Sequence, residues 1–180
     1  RVCPGFSVTQ AWEGLVHICR LVEGMPLALE LAAAGLKTLP IERIAAEIEN
    51  GLGILSSPWQ DVEPRHRSMR AVFDHSWKLL PIAERKSLQQ LAVLRGGFGL
   101  SAAAAVARAA PPLLAGLVER SLLHVTPGGR YQMHELLRQY ALERLHAVGQ
   151  EETAARDRHS AYYARMMQER EQALKGSDQQ

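Results

Sequence analysis

His134 stands at the point where an alternating stretch, residues 131–133, gives way to a helical pattern. A helix start presents unpaired N–H groups and partial positive charge, so anions bind there. The same field favours a neutral imidazole that donates one N–H. His134 is therefore a candidate anion contact. Its plainer alternative is a helix-capping or partly exposed histidine. At such a junction the ring is expected near the surface of this chain, so that its truncation costs within about 0.5 kcal/mol here.

Other residues of chemical interest fall into small groups. Arg65, His66, Arg67 and Arg70 form a basic cluster at a helix start, where positive charge costs roughly 0.3–1 kcal/mol. Glu63–Arg67 and Arg70–Asp74 are (i, i+4) pairs worth about 0.2–0.5 kcal/mol each, which suits a solvated, salt-bridged face. The alternative is a phosphate or domain-interface contact. Tyr162, Tyr163, Met166 and Met167 have the spacing of one helical face, the pattern of core rather than of a cofactor groove. Cys3 and Cys19 are too few for a metal set or a disulfide framework. Neither G-x-S-x-G nor G-x-x-x-x-G-K-[ST] occurs. The sequence thus predicts no catalytic residue, no metal site and no phosphate cradle.

The elements that must position these groups are helical. Ser7 or Thr9 can cap a helix to about Val22, with Gly24 as its stop and Pro26 at the first turn of the next. Residues 27–36 are apolar nearly all round, which predicts a buried helix. A third helix begins near Pro40 and closes at Gly51. Residues 51–64 read as a loop, and residues 65–80 as a fourth helix with Met69, Val72, Phe73, Ser76, Trp77 and Leu80 on one stripe. Pro81 starts a helix that Gly96-Gly97 ends. Ser101 caps an Ala-rich one, and Pro111-Pro112 opens a third. Leu123 and Val125, the turn Pro127-Gly128-Gly129 and residues 131–133 form a hairpin signal. Residues 134–148 and 151–174 are the last helices, separated by Gly149, with a frayed tail from Lys175.

The expected fold class is mainly α: a helical bundle, then a winged-helix domain with one small β-hairpin, then C-terminal helices. The expected domains are 1–64 (helical), 65–80 (connecting helix), 81–148 (winged helix) and 149–180 (C-terminal helix). A winged helix raises DNA binding. Its third helix, residues 113–122, offers only Glu119 and Arg120, and the turn adds Arg130. Lys+Arg is 21 and Asp+Glu 19, so a net charge of 21 − 19 = +2 gives no dense positive field. DNA binding by this module is not expected.

Composition excludes other classes. Hydrophobic residues make up 47% and charged residues 22%, which is a globular rather than a disordered balance. Aromatics are only 6%, and an Ala/Leu core suits helices. No apolar run approaches the roughly 20 residues of a membrane span. A reduced, cytoplasmic setting is expected. The chain starts at Arg1 with no signal-peptide pattern, which suggests a piece of a longer protein.

Several segments resemble one family, in its order. Glu23-Gly24-Met25-Pro26-Leu27-Ala28-Leu29 is similar to the "GLPLAL" motif of the STAND/NB-ARC regulatory ATPases. Arg65 to Arg70 leads into Asp74-His75-Ser76-Trp77 as it does there. Residues 91–98 resemble "LAVFxGGF", residues 117–123 "LVxKSLL", and Met133-His134-Glu135 the "MHD" motif, with Glu135 in place of the usual Asp. The resemblance implies a regulatory module that closes over ADP or ATP, with Mg²⁺, held by a P-loop domain of the same polypeptide. It implies that Gly24, Met25 and Pro26 lie against the adenine and that His134 touches the β-phosphate of ADP. It also implies a following helical-repeat sensor, homo-oligomerisation on activation, and an ATPase parent, although this chain alone is no enzyme. The alternatives are a DNA-binding winged helix and a helical adaptor for a protein partner.

Overall fold

Prolines and glycines punctuate the first third of the chain. In the structure, a computed structural model, residues 7–9, 11–56 and 68–177 are described. Helix α1 (Trp12–Leu21) is followed by α2 (Pro26–Gly35), with Pro26 in the first turn where its missing N–H costs nothing. Helix α3 (Ile41–Asn50) ends at Gly51, whose φ of 147° disfavours any side chain. Helix α4 (Met69–Leu79) is capped by Ser68, whose hydroxyl accepts the Ala71 N–H at 3.1 Å. The expected caps of α1 are not used. Ala11 occupies the cap position, and the chain enters by a backbone turn in which Ala11 N–H donates to the Ser7 carbonyl at 3.0 Å. Of the basic cluster, Arg65, His66 and Arg67 lie outside the described residues. Arg70 is an exposed residue of α4.

The chain divides into two compact units. The first comprises Arg1–Leu80 and His134–Tyr140. Its α1 packs on α3, and Gly14 permits the approach: a Cβ there would stand 2.9 Å from Ile41 Cγ2. Ile18, Val22, Leu31, Ile44, Ile48, Met69 and Phe73 are buried. Each such apolar side chain contributes roughly 1.5–3 kcal/mol. Tyr140 is fully buried, its ring 5.5 Å from Phe73 and 5.6 Å, edge-on, from Trp77. Its hydroxyl donates to Asp74 Oδ1 at 2.6 Å.

The second unit comprises Pro81–Met133 and Ala141–Gln180. It runs α5 (Ile82–Leu91), α6 (Leu100–Ala107), α7 (Pro111–Glu119), then strands β1 (His124–Val125) and β2 (Tyr131–Gln132). The strands pair antiparallel, His124 opposite Gln132 and Val125 opposite Tyr131. Phe98 adds a further bridge, exchanging two 2.9 Å hydrogen bonds with Tyr131. This third edge carries no alternation and was not legible from pattern alone.

Helix α8 (Glu135–His146) contributes residues to both units, and α9 (Gly149–Ser177) belongs to the second. Two punctuation marks read differently from the expectation. Helix α5 stops at Leu91, several residues before Gly96, because the chain turns through residues 92–94 first. Gly149 opens α9 rather than breaking α8, and α9 remains helical through Ser177 instead of fraying at Lys175. Ser101 lies inside α6, whose cap position is Gly99; its hydroxyl instead meets Tyr162 Oη at 2.8 Å.

The fold class is mainly α, with one two-stranded hairpin and closing helices. Among the described residues, no single helix is long and apolar enough to cross a membrane. Tyr140→Phe removes the donor to Asp74 from the middle of the first unit. It is expected to cost about 1.5–3 kcal/mol, read as a lowered midpoint in urea unfolding followed by tryptophan fluorescence. An unchanged midpoint would show that water satisfies Asp74 equally well.

Candidate functional site

Residues 134–140 belong to the same unit as the turn between α1 and α2. That turn is tight. Glu23 and Gly24 both have positive φ, 46° and 71°, which glycine adopts freely and glutamate does not. Met25 N–H closes it on the Val22 carbonyl at 2.9 Å. His134 Nε2 lies 3.0 Å from the same carbonyl, and Leu136 N–H donates to His134 Nδ1 at 3.2 Å. The second contact makes Nδ1 an acceptor, so Nε2 carries the proton and donates to Val22. His134 thus ties the turn to the start of α8 through both ring nitrogens.

Glu23 completes the arrangement. Its Oε1 accepts the Glu135 N–H at 3.0 Å, and its Oε2 stands 3.9 Å from His134 Nε2. A carboxylate thus occupies the N-terminus of α8, where free N–H groups and the helix dipole favour negative charge. Gly24, Met25 and Pro26 follow Val22 and Glu23 directly in the chain; the contacts of His134 and Glu135 themselves are to Val22 and Glu23. The two regions are 112 residues apart in sequence.

Glu135 has a second role. Its carboxylate forms a two-pronged pair with Arg138, Oε2 to Nε at 2.8 Å and Oε1 to Nη2 at 2.7 Å. Arg138 is buried, and the hydrogen bond to Glu135 raises its pKa despite the opposing effect of burial. Sequence reading missed Glu23 and Arg138 as site residues. The Glu135–Arg138 spacing of (i, i+3) was the available signal for the second. No signal existed for Glu23, because its role depends on a positive φ and on a partner far along the chain.

The last helix does not form the core stripe that its spacing suggests. Tyr162, Tyr163 and Met166 are half-buried and Met167 is 61% exposed. Cys19 is exposed and not in a disulfide. Among the described residues no cluster of His, Cys, Asp or Glu could hold a metal ion.

The sequence can be set beside those of known proteins. Mycobacterial proteins are similar to it. A protein of Mycobacterium tuberculosis and its counterpart in Mycobacterium bovis, each named "putative HTH-type transcriptional regulator", are 33% identical over 174 residues. That match covers 91% of this chain and 20% of each relative. An uncharacterized Mycobacterium tuberculosis protein is 33% identical over 145 residues, covering 74% of this chain and 37% of the relative. The chain therefore spans about a fifth of the length of the relatives named as regulators. No protein-family model matches it.

Two outcomes test the site's energetics. Both ring nitrogens of His134 are engaged, which argues for a larger cost of truncation than the about 0.5 kcal/mol of a loosely held surface ring. His134→Ala leaves Leu136 N–H without its acceptor and is expected to cost about 1–3 kcal/mol by chemical denaturation. Glu135→Ala removes the carboxylate that faces a buried guanidinium and is expected to cost more than Glu135→Ala combined with Arg138→Met. A double variant no more stable than the single one would mean that the pair is not coupled.

Proposed function

We propose that this chain is the nucleotide-state-sensing module of a larger regulator of the STAND/NB-ARC kind, acting in transcription or signalling in the cytoplasm. The observation that supports this best is the convergence of His134 and the Glu135 N–H on the turn holding Gly24, Met25 and Pro26. An imidazole donor and a helix-start N–H are the groups that fit a phosphate oxygen, and Met25 with Pro26 fits an apolar ring. The phosphate cradle and the Mg²⁺ ligands would come from a P-loop domain of the same polypeptide. On this reading the chain by itself hydrolyses no ATP.

Glu23 is the switch in this scheme. In the arrangement described, its carboxylate holds the Glu135 N–H that a phosphate contact needs. Glu23 must release that N–H, and His134 must turn its N–H from Val22, for the contact to form. Two states follow, one with α8 capped internally and one with Glu23 displaced. ADP shifts their balance only by its difference in affinity for the two. A following helical-repeat sensor would bias the same balance, and a second copy of the protein would assemble on the released state.

The similarity to proteins named as HTH-type regulators supports a regulatory role and brings DNA into the system. Helix α7 is a poor reader of it. Its exposed residues are Pro111, Pro112, Ala115 and Glu119, and the adjoining Arg120 is tied to Glu84 at 3.1 Å. DNA contact belongs elsewhere in the larger protein.

In the intact parent, His134→Ala is expected to speed ADP loss by about tenfold to a hundredfold, the worth of one hydrogen bond to a charged group. Glu23→Gln removes the competing charge and is expected to slow it. Basal output should move in opposite directions in the two variants. Equal ADP retention in both, with unchanged output, would reduce His134 and Glu23 to structural caps.

A further inference from the structure

Three arginines of the second unit face one depression. Arg95 comes from the stretch after α5, Arg130 from the hairpin turn, and Arg156 from α9. His159, Ser160 and Tyr163 of α9 complete the lining. The depression has a volume of about 620 Å³, within the range of roughly 300–1,000 Å³ usual for small-molecule sites. No Asp or Glu lines it.

The charges are only partly answered. Arg156 Nε meets Glu152 Oε1 at 2.7 Å, and that pair holds the Glu152 carboxyl below its ordinary range. Arg130 donates one Nη2 hydrogen bond to the Gly97 carbonyl, and its side chain lies over Gly97, where a Cβ would stand 3.3 Å from Nε. That bond orients the guanidinium and leaves its other N–H groups to point elsewhere. Arg95 has no hydrogen-bond or ion-pair partner among the described residues. Three guanidiniums against one carboxylate in a concave wall focus a positive field. The Ser160 hydroxyl adds a neutral donor, and the His159 and Tyr163 rings, with centroids 4.8 Å apart and tilted by 49°, add an aromatic edge.

We propose that this depression binds a compact phosphate-bearing small molecule, of the size of pyrophosphate or a mononucleotide. Forked guanidiniums match phosphate oxygens two at a time. Convergence from three separate elements into a hollow suits a compact anion. A duplex backbone is instead tracked by basic residues spread along a ridge. All of these residues lie in the second unit, so the inference stands independently of the nucleotide-sensing reading above.

The test is calorimetric titration of the full 180-residue chain with pyrophosphate, adenosine monophosphate and a 20-base-pair duplex at low salt. Saturable binding of pyrophosphate or the mononucleotide with Kd below about 1 mM is expected. Tighter binding of the mononucleotide would assign the aromatic edge to a base; equal binding would assign the site to the phosphate groups alone. Arg95→Gln is expected to weaken either by about tenfold, and Arg95→Lys by less. Arg43→Ala, which removes an exposed charge from the first unit, should leave the affinity unchanged. Absence of saturable binding, or equal losses in the Arg95 and Arg43 variants, would overturn the proposal. So would duplex binding that depends on Arg95 and that pyrophosphate does not compete away.

Discussion

A helix that begins inside a folded unit must find partners for N–H groups that its own backbone cannot satisfy. In the first unit the start of α8 finds them in Glu23 and in the ring of His134. The ring serves twice, accepting from Leu136 and donating to the buried residue Val22. The turn that leads into Gly24, Met25 and Pro26 is held against α8 by this interaction, through Val22 and Glu23. Farther along α8, Tyr140 takes the same anchoring into the core through Asp74, Phe73 and Trp77. A strained glutamate at φ 46° is tolerated here because its side chain neutralises a helix end.

The second unit is organised by small side chains. Ala102, Ala103, Val106 and Ala107 of α6 are buried, and α9 lies along this helix. The close approach leaves little room for large apolar groups, so polar contacts fix the register: Arg158 Nε to the Val106 carbonyl at 2.7 Å, and Lys86 and Gln90 to Glu151 at 2.6 and 2.9 Å. The Lys86 hydrogen bond lowers the Glu151 pKa. Its stabilising share is therefore present above the unfolded carboxyl's pKa and is lost as pH falls through the folded value.

What could be read from residues alone follows a physical division. Pro26, Pro40, Gly51, Pro81 and Pro111 act through their own backbone restrictions, and the helices start or stop beside each of them. Ser101 does not cap α6 because a hydroxyl serves a helix cap and a tertiary partner equally well, and Tyr162 is invisible in the local sequence. His134 was legible as a helix-start histidine, but not its partners, since no local rule connects position 134 to position 22. The family resemblance implies one site for Gly24–Pro26 and His134. The hydrogen bonds that tie His134 and Glu135 to the neighbouring Val22 and Glu23 are a property of the folded chain.

The first unit is discontinuous: residues 134–140 follow, in the chain, a long stretch that belongs to the second. During synthesis from the N-terminus, Leu136, Leu137 and Tyr140 are the last of its core residues to be made. Until they emerge, the aromatic face of Phe73 and Trp77 awaits Tyr140. Closing a loop that long costs entropy that only grows slowly with length, but the delay exposes apolar surface in the meantime. A ribosome stalled, or a protein cut, anywhere between residues 81 and 133 would therefore release a first unit without its closing segment, a natural substrate for chaperones and proteases.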